Sequence, residues 1–300
     1  MPIEFDDSRV DVSGVDDRRG GGGGFGGGGL AIGGGTGVIG IVIFIIFQLL
    51  GGGGSTSAFP GVDTGGANST GQQESSEQLA ARCNAERALD QYTDCRLIKV
   101  YDIADNAWSD EFKRRGLQYH APKLAFFDSA TSTACGNASA DVGPFYCPGD
   151  EEIYLDLAFL EQLQSQLGAN GEFAQAYILA HEYGHHLQTL LGTERKVRAA
   201  QQQHPDEANE YSVALELQAD CYAGVWTKLA DQQGSGINLT PDNIAQAQNA
   251  AEAVGDDRIQ KKAQGRVDPE SWTHGSAAAR KQWFTTGAST GDLDKCNTFA

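Results

Sequence analysis

"AHEYGHHLQ", Ala180 to Gln188, holds three of the six histidines in a chain of 300 residues. The surrounding "EFAQAYILAHEYGHHLQTLLG" contains no proline, and its apolar residues recur at spacings of three and four. That pattern predicts a helix. On an α-helix, residues i and i+4 lie about 40° apart, on one face. His181 and His185 can therefore offer two imidazole nitrogens to a single ion, with Glu182 one step round the axis. This is the HExxH arrangement: two neutral nitrogen ligands for Zn²⁺ and a carboxylate beside them. The bland alternative is a polar patch, but two inward histidines and a glutamate without a partner would carry a desolvation cost that a structural role rarely justifies. Gly184 agrees with a site, because an interior helix glycine costs about 1 kcal/mol and usually marks a close approach. His186, at i+5, points about 140° from His181. It is expected to be a packed or partly exposed histidine and not a ligand.

Two imidazoles do not complete a site. A metzincin would carry Gly at position 188 and His at 191, where this chain has Gln188 and Leu191, so that class is excluded. A carboxylate from a later helix is the alternative. "YSVALELQADCYAGVW" supplies Glu216 and Asp220 at i, i+4, and the flanking Leu215, Leu217, Ala219 and Cys221 leave only a narrow polar face. Glu216 is the candidate third ligand. Asp220 is the candidate partner for the far nitrogen of His181 or His185, fixing its tautomer. His204, in the polar loop "QQQHPDE", is the weaker competitor for the ligand role.

The rest of the chain bounds what such a site can serve. Forty acidic against 22 basic residues give a formal charge of −18, with no basic stripe. Nucleic acid is therefore not an expected partner. Hydrophobic residues make up 40% of the chain, enough for a core. Residues 1–29, polar and Gly-rich, read as a disordered tail. Leu30 to Leu50 follows without a charge, about the span of a bilayer's hydrocarbon core. A cleaved signal peptide competes with a transmembrane helix here, but the stretch is long for one and its charged flank is remote. Arg9, Arg18 and Arg19 precede the span, and no Lys or Arg follows it until Arg82. The expected topology is therefore a single pass in a bacterial plasma (inner) membrane, with the C-terminal domain on the extracytoplasmic side. Residues 51–76 read as a Gly/Ser-rich linker, with a reach on the order of 30 Å.

From residue 77 the composition is that of a globular domain extending to residue 300. "KLAFFD" and "EIYLDL" read as short strands. Helices are expected at Leu157–Leu167, Glu172–Leu191, roughly 205–230, Pro241–Ala253 and Ser276–Thr286. Few strands ahead of many helices predict an α+β domain, mostly helical with a small sheet. Six cysteines suit an oxidising compartment. Cys135 and Cys147 flank one loop and are the expected local pair; Cys221 with Cys296 and Cys83 with Cys95 would complete the set.

Several separated blocks resemble the bacterial neutral zinc metallopeptidases. They are "TACGNASADVGPFYCPGDEEIYLDL", "FAQAYILAHEYGHHLQ", "ELQADCYAGVW", "AVGDDRIQKKAQGRV", "THGS" and "WFTTG". The resemblance covers about Cys83 to the C-terminus and departs from the family pattern at "AAARKQW" after "THGS". It implies a zincin-like domain with one Zn²⁺ per chain, His181, His185 and Glu216 as ligands, and Glu182 as catalytic base. A zincin also needs a donor for the oxyanion that develops on the substrate carbonyl. His274, in a loop where Ser276 can cap the next helix, is the candidate; Tyr183 and Tyr211 are alternatives. "PFYCPGDEEIYLDL" is the candidate sheet edge for a protein or peptide substrate, with ordinary core sheet as its rival. A membrane-tethered binding or scaffold protein with a vestigial site, and a metal hydrolase of a non-peptide bond, remain as other classes.

Overall fold

Helix starts follow the side chains able to cap them. Ser75 and Gln78 form a capping box ahead of α1 (Ser76–Cys83), and Thr240 and Asn243 form one ahead of α8 (Pro241–Ala253), where Pro241 takes the first turn. Asp156 caps α4 (Leu157–Leu167) through Phe159 N, and Ser276 caps α10 (Ala277–Thr290) through Ala279 N. The other helices are α2 (Ala88–Gln91), α3 (Thr93–Arg115), α5 (Glu172–Leu190), α6 (Thr193–Gln203), α7 (Ala208–Ala230) and α9 (Asp256–Gln264). These elements come from a computed structural model that describes residues 2–20, 74–139, 142–232 and 234–299. The fold is α+β and mostly helical, as the sequence pattern predicts.

The main sheet has the order β2 (Val15–Asp17), β3 (Lys123–Phe126), β7 (Glu152–Leu155), β6 (Phe145–Cys147). The first three run parallel, and β6 is antiparallel to β7. Side chains alternate across it. Leu124, Phe126, Ile153 and Leu155 face the helices and join the main core. Ala125, Phe127, Phe145 and Tyr154 form a second cluster on the other face, against the hairpin of β4 (Ala130–Thr133) and β5 (Gly136–Ser139). The Cys135–Cys147 disulfide ties that hairpin region to β6. Cys83–Cys95 and Cys221–Cys296 form as well, so all three expected pairs are present.

The reading of residues 1–29 as a disordered tail is corrected for residues 2–20. Those residues are part of the domain. β1 (Glu4–Phe5) pairs with β8 (Ile237–Asn238), and β2 pairs in register with β3. Ile3 and Val10 are buried, and Asn84 both donates to and accepts from the Val10 backbone. Arg18 reaches Glu152 at 2.7 Å, and Arg19 reaches Asp94 at 2.7 Å while lying over the Phe126 ring. The physical reason for the misreading is that these strands have no periodicity of their own; β3 and β8 supply their hydrogen bonds. Arg18 and Arg19, two of the three arginines that looked like a positive flank, are in structural ion pairs. Leu30–Leu50 and most of the linker lie outside the described residues, and among the described residues no helix is long and apolar enough to cross a membrane. Residues 2–20 and 74–299 are joined by the β1–β8 and β2–β3 pairings.

Arg19→Ala is expected to destabilise the protein by about 2 kcal/mol, the scale of charge-assisted hydrogen bonds to a buried carboxylate. Asp94 keeps Arg82, which limits the loss. Urea unfolding of the variant checks this; an unchanged midpoint would mean that the segment is only loosely attached.

Helix packing then positions the site. α5 lies against α7, and a Cβ on Gly184 would stand 3.0 Å from the carbonyl oxygen of Ala219. This is the close approach expected at that glycine. α7 and α10 approach more tightly still: a Cβ on Gly224 would lie 2.1 Å from the oxygen of Phe284.

Candidate metal centre

α5 and α7 each carry one half of the centre. His181 Nε2 and His185 Nε2 are 3.2 Å apart. Glu216, from α7, places Oε2 3.1 Å from His181 Nε2 and Oε1 3.4 Å from His185 Nε2. Two nitrogens and a carboxylate thus converge on one point, all three residues buried. His204 is exposed at the end of α6 and is not part of this group.

The outer nitrogens are assigned by their partners. His181 Nδ1 faces Asp220 Oδ1 at 2.9 Å, and a carboxylate only accepts, so this nitrogen donates. His185 Nδ1 donates to Gln188 Oε1 at 2.8 Å. Gln188 is held in turn by donating to the Leu215 carbonyl and to Gln218. In the neutral form of both rings, Nε2 then carries the lone pair and faces the shared point. Asp220 was expected in this role. Gln188 was not, although its i+3 spacing from His185 puts it on the same face.

Arg280 was also missed. Its Nε and Nη2 donate to the two oxygens of Asp220 at 2.8 and 2.9 Å, and Tyr177 OH donates to the same carboxylate. A signal existed. Arg280 sits in the buried stripe of α10 with Ala277, Phe284 and Gly287, where an unpaired charge would be costly.

The remaining candidates separate clearly. His186 is buried, donates from Nε2 to the His120 carbonyl and accepts from Tyr146 OH at Nδ1. Burial lowers its pKa to about 4, so it is a packed neutral histidine, as expected. The Tyr183 hydroxyl is engaged with Tyr119 and Asp105, and that of Tyr211 donates to Glu207. His274 is held in a fixed loop: the backbone N–H groups of Thr273, His274 and Gly275 all donate to Asp256 Oδ2, at 2.9, 2.7 and 3.0 Å. Burial alone would raise the Glu216 carboxyl, but the nearby imidazoles of His274, His185 and His181 hold it well below the usual range.

Glu182 is buried, and its Oε2 has no hydrogen-bond partner. Burial pushes its carboxyl pKa up, against the pull of the two imidazoles. The donor set of two imidazole nitrogens and one carboxylate oxygen, with each ring fixed from behind, fits Zn²⁺ with a fourth position left for water or substrate.

Without a metal, the surrounding carboxylates favour protonation of the imidazoles. Burial disfavours the His181 cation, but Asp220 and Glu216 outweigh it and raise its pKa to about 10. His185 is raised as well, its burial outweighed by Glu216. Zinc must displace these protons, so its apparent affinity is expected to keep rising with pH through neutrality toward about 10. Free imidazoles would level off near their ordinary value, about 6.5. Chelator competition from pH 6 to 9 measures this, and an affinity flat above pH 7 would contradict it.

The comparisons with known proteins follow the same lines. The model of the family described as "Putative neutral zinc metallopeptidase" matches residues 7–299. An Escherichia coli K12 protein, "Uncharacterized protein YpfJ", is 46% identical over 201 residues, covering 67% of this chain and 69% of the relative. A Mycobacterium tuberculosis H37Rv protein, "Uncharacterized protein Rv2575", is 41% identical over 253 residues, covering 80% of this chain and 84% of the relative. No solved structure matches. With the HExxH helix, the partnered carboxylate helix and a family match that includes the folded N-terminal segment, the chain belongs to the neutral zinc metallopeptidase family.

Proposed function

We propose that this protein is a zinc-dependent peptidase in which His181, His185 and Glu216 hold the metal and Glu182 acts as general base. The observation that carries this reading is the unpartnered Glu182 oxygen beside the three convergent ligand atoms. A purely structural zinc site has no use for a buried carboxylate with a raised pKa. When bound there, zinc supplies a Lewis acid that polarises a carbonyl and brings the pKa of water to about 7. Glu182 takes the proton of the attacking water and hands it to the leaving amine. Burial makes it a stronger base than an ordinary carboxylate.

β6 ends the sheet beside α5, with Tyr146 bonded to His186 of that helix. An extended peptide added along β6 would lie beside α5, the helix that carries His181 and His185. The test is peptide-library cleavage by the zinc-loaded protein, with a Glu182→Gln control. Cleavage lost in the control supports the peptidase. Zinc binding with no cleavage of any peptide favours the vestigial-site scaffold, and turnover confined to other esters or amides favours a non-peptide hydrolase.

In this reading His274 donates to the substrate oxyanion from the rim of the cleft. His274→Ala is expected to lower kcat by one to three decades, roughly 1.4–4 kcal/mol of transition-state stabilisation, with zinc content unchanged. Full activity in the variant would remove His274 from the mechanism.

The three disulfides favour an extracytoplasmic location in a bacterial cell. With residues 2–20 folded into the domain, both segments flanking 21–73 belong on that side. Protease sites inserted at positions 20 and 75 should both be cut from outside in intact spheroplasts; protection of position 20 alone would restore the single-pass topology.

A further inference from the structure

The two imidazoles of the centre are fixed from behind by different chemistry. His185 donates to a neutral amide, Gln188. His181 donates to Asp220, a carboxylate with no solvent exposure. A bare carboxylate at that depth, close to Glu182 and Glu216, would be costly and free to turn.

Arg280 removes both problems. Its fork meets both Asp220 oxygens, its Nη1 donates to the Val254 carbonyl at 3.2 Å, and Nη2 lies 3.4 Å from Tyr177 OH and from His181 Nδ1. The guanidinium is itself buried, its plane set by these partners. It reaches the centre because glycines at 224 and 287 allow α10 to lie directly on α7, where a Cβ on Gly287 would stand 2.0 Å from the Cys221 carbonyl oxygen.

We infer that Arg280 is a positioning residue of the metal centre: it locks the Asp220 carboxylate, which in turn fixes the His181 ring with Nε2 toward the metal. This rests on the reading of His181, His185 and Glu216 as ligands. Arg280 acts through Asp220, which its Nε and Nη2 meet at 2.8 and 2.9 Å, against 4.0 Å from Nη2 to Glu216 Oε2. With the cation neutralising Asp220, both rings have an outer partner of no net charge.

The experiment measures zinc affinity of the full chain by chelator competition, in wild type, Arg280→Met, Arg280→Lys, Asp220→Asn and the Arg280→Met/Asp220→Asn double variant. Lys281→Met, one residue on and partly exposed, is the control. Arg280→Met is expected to bind zinc about 10–100-fold more weakly, the usual cost of losing an outer partner of a ligand. Arg280→Lys, which keeps the charge but not the fork, should fall between it and wild type. The double variant should be no weaker than the weaker single one, because both act on one link. Should Arg280→Met fail to fold, the Lys variant decides: a loss of several-fold supports the lock, and wild-type affinity overturns it. Fully additive losses in the double variant would also overturn it. Failure of wild type to bind zinc would instead sink the underlying metal reading.

Discussion

Glu182→Gln is expected to leave zinc content and fold unchanged while slowing peptide hydrolysis by about two to four decades, the scale of a lost general base. Gln keeps the size and one carbonyl oxygen of the side chain but cannot accept the proton. Glu182 lies one residue from His181 and yet contributes no atom to the convergent His181, His185 and Glu216 group. Its Oε2 is buried and lacks a hydrogen-bond partner. The amide should therefore be tolerated structurally, and kcat should carry the loss, with KM little changed. Measured zinc stoichiometry and single-substrate kinetics decide this. Equal activity in wild type and variant would assign the base elsewhere, and loss of metal with activity would make Glu182 a ligand.

The second large effect is on the metal itself. Glu216→Ala removes the only carboxylate of the ligand group and leaves two imidazoles. Dividing the roughly 10–16 kcal/mol of a four-ligand structural zinc site among its ligands, the loss is about two to three decades in zinc affinity. His185→Ala should be comparable. Because a ligand that binds only the folded state stabilises it by mass action, chelation should lower the wild-type melting temperature and leave that of Glu216→Ala nearly unmoved. An unchanged zinc affinity in Glu216→Ala, with loss in a His274→Ala variant, would transfer the third-ligand role to His274.

The histidines at 181 and 185 and the acids at 216 and 220 were legible because a helix turns i, i+4 spacing directly into geometry. Gly184 was legible for a related reason: an expensive residue in a helix interior needs a cause, and the Ala219 backbone is that cause. Cys135–Cys147 was legible as a pair flanking one short loop, whereas Cys221–Cys296, 75 residues apart, and Cys83–Cys95 were two among the many pairings that six cysteines allow. The N-terminal segment failed the same treatment. Its strands are two and three residues long, with no alternation strong enough to register, and Arg18 and Arg19 carry no mark of their partners 134 and 75 residues away.

The sequence by itself determined the local chemistry: which residue types sit on one helix face, and which family pattern the chain follows. Tertiary structure alone decided what long-range packing sets. It placed β2 in the sheet, because strand hydrogen bonds are satisfied by a partner edge wherever it lies in the chain. It turned Tyr183 toward Asp105 and Tyr119, away from the candidate metal centre. It brought Arg280 to Asp220 across 60 residues, because helices meeting at glycine can approach closely enough for a guanidinium to reach a buried carboxylate that needs a counter-charge.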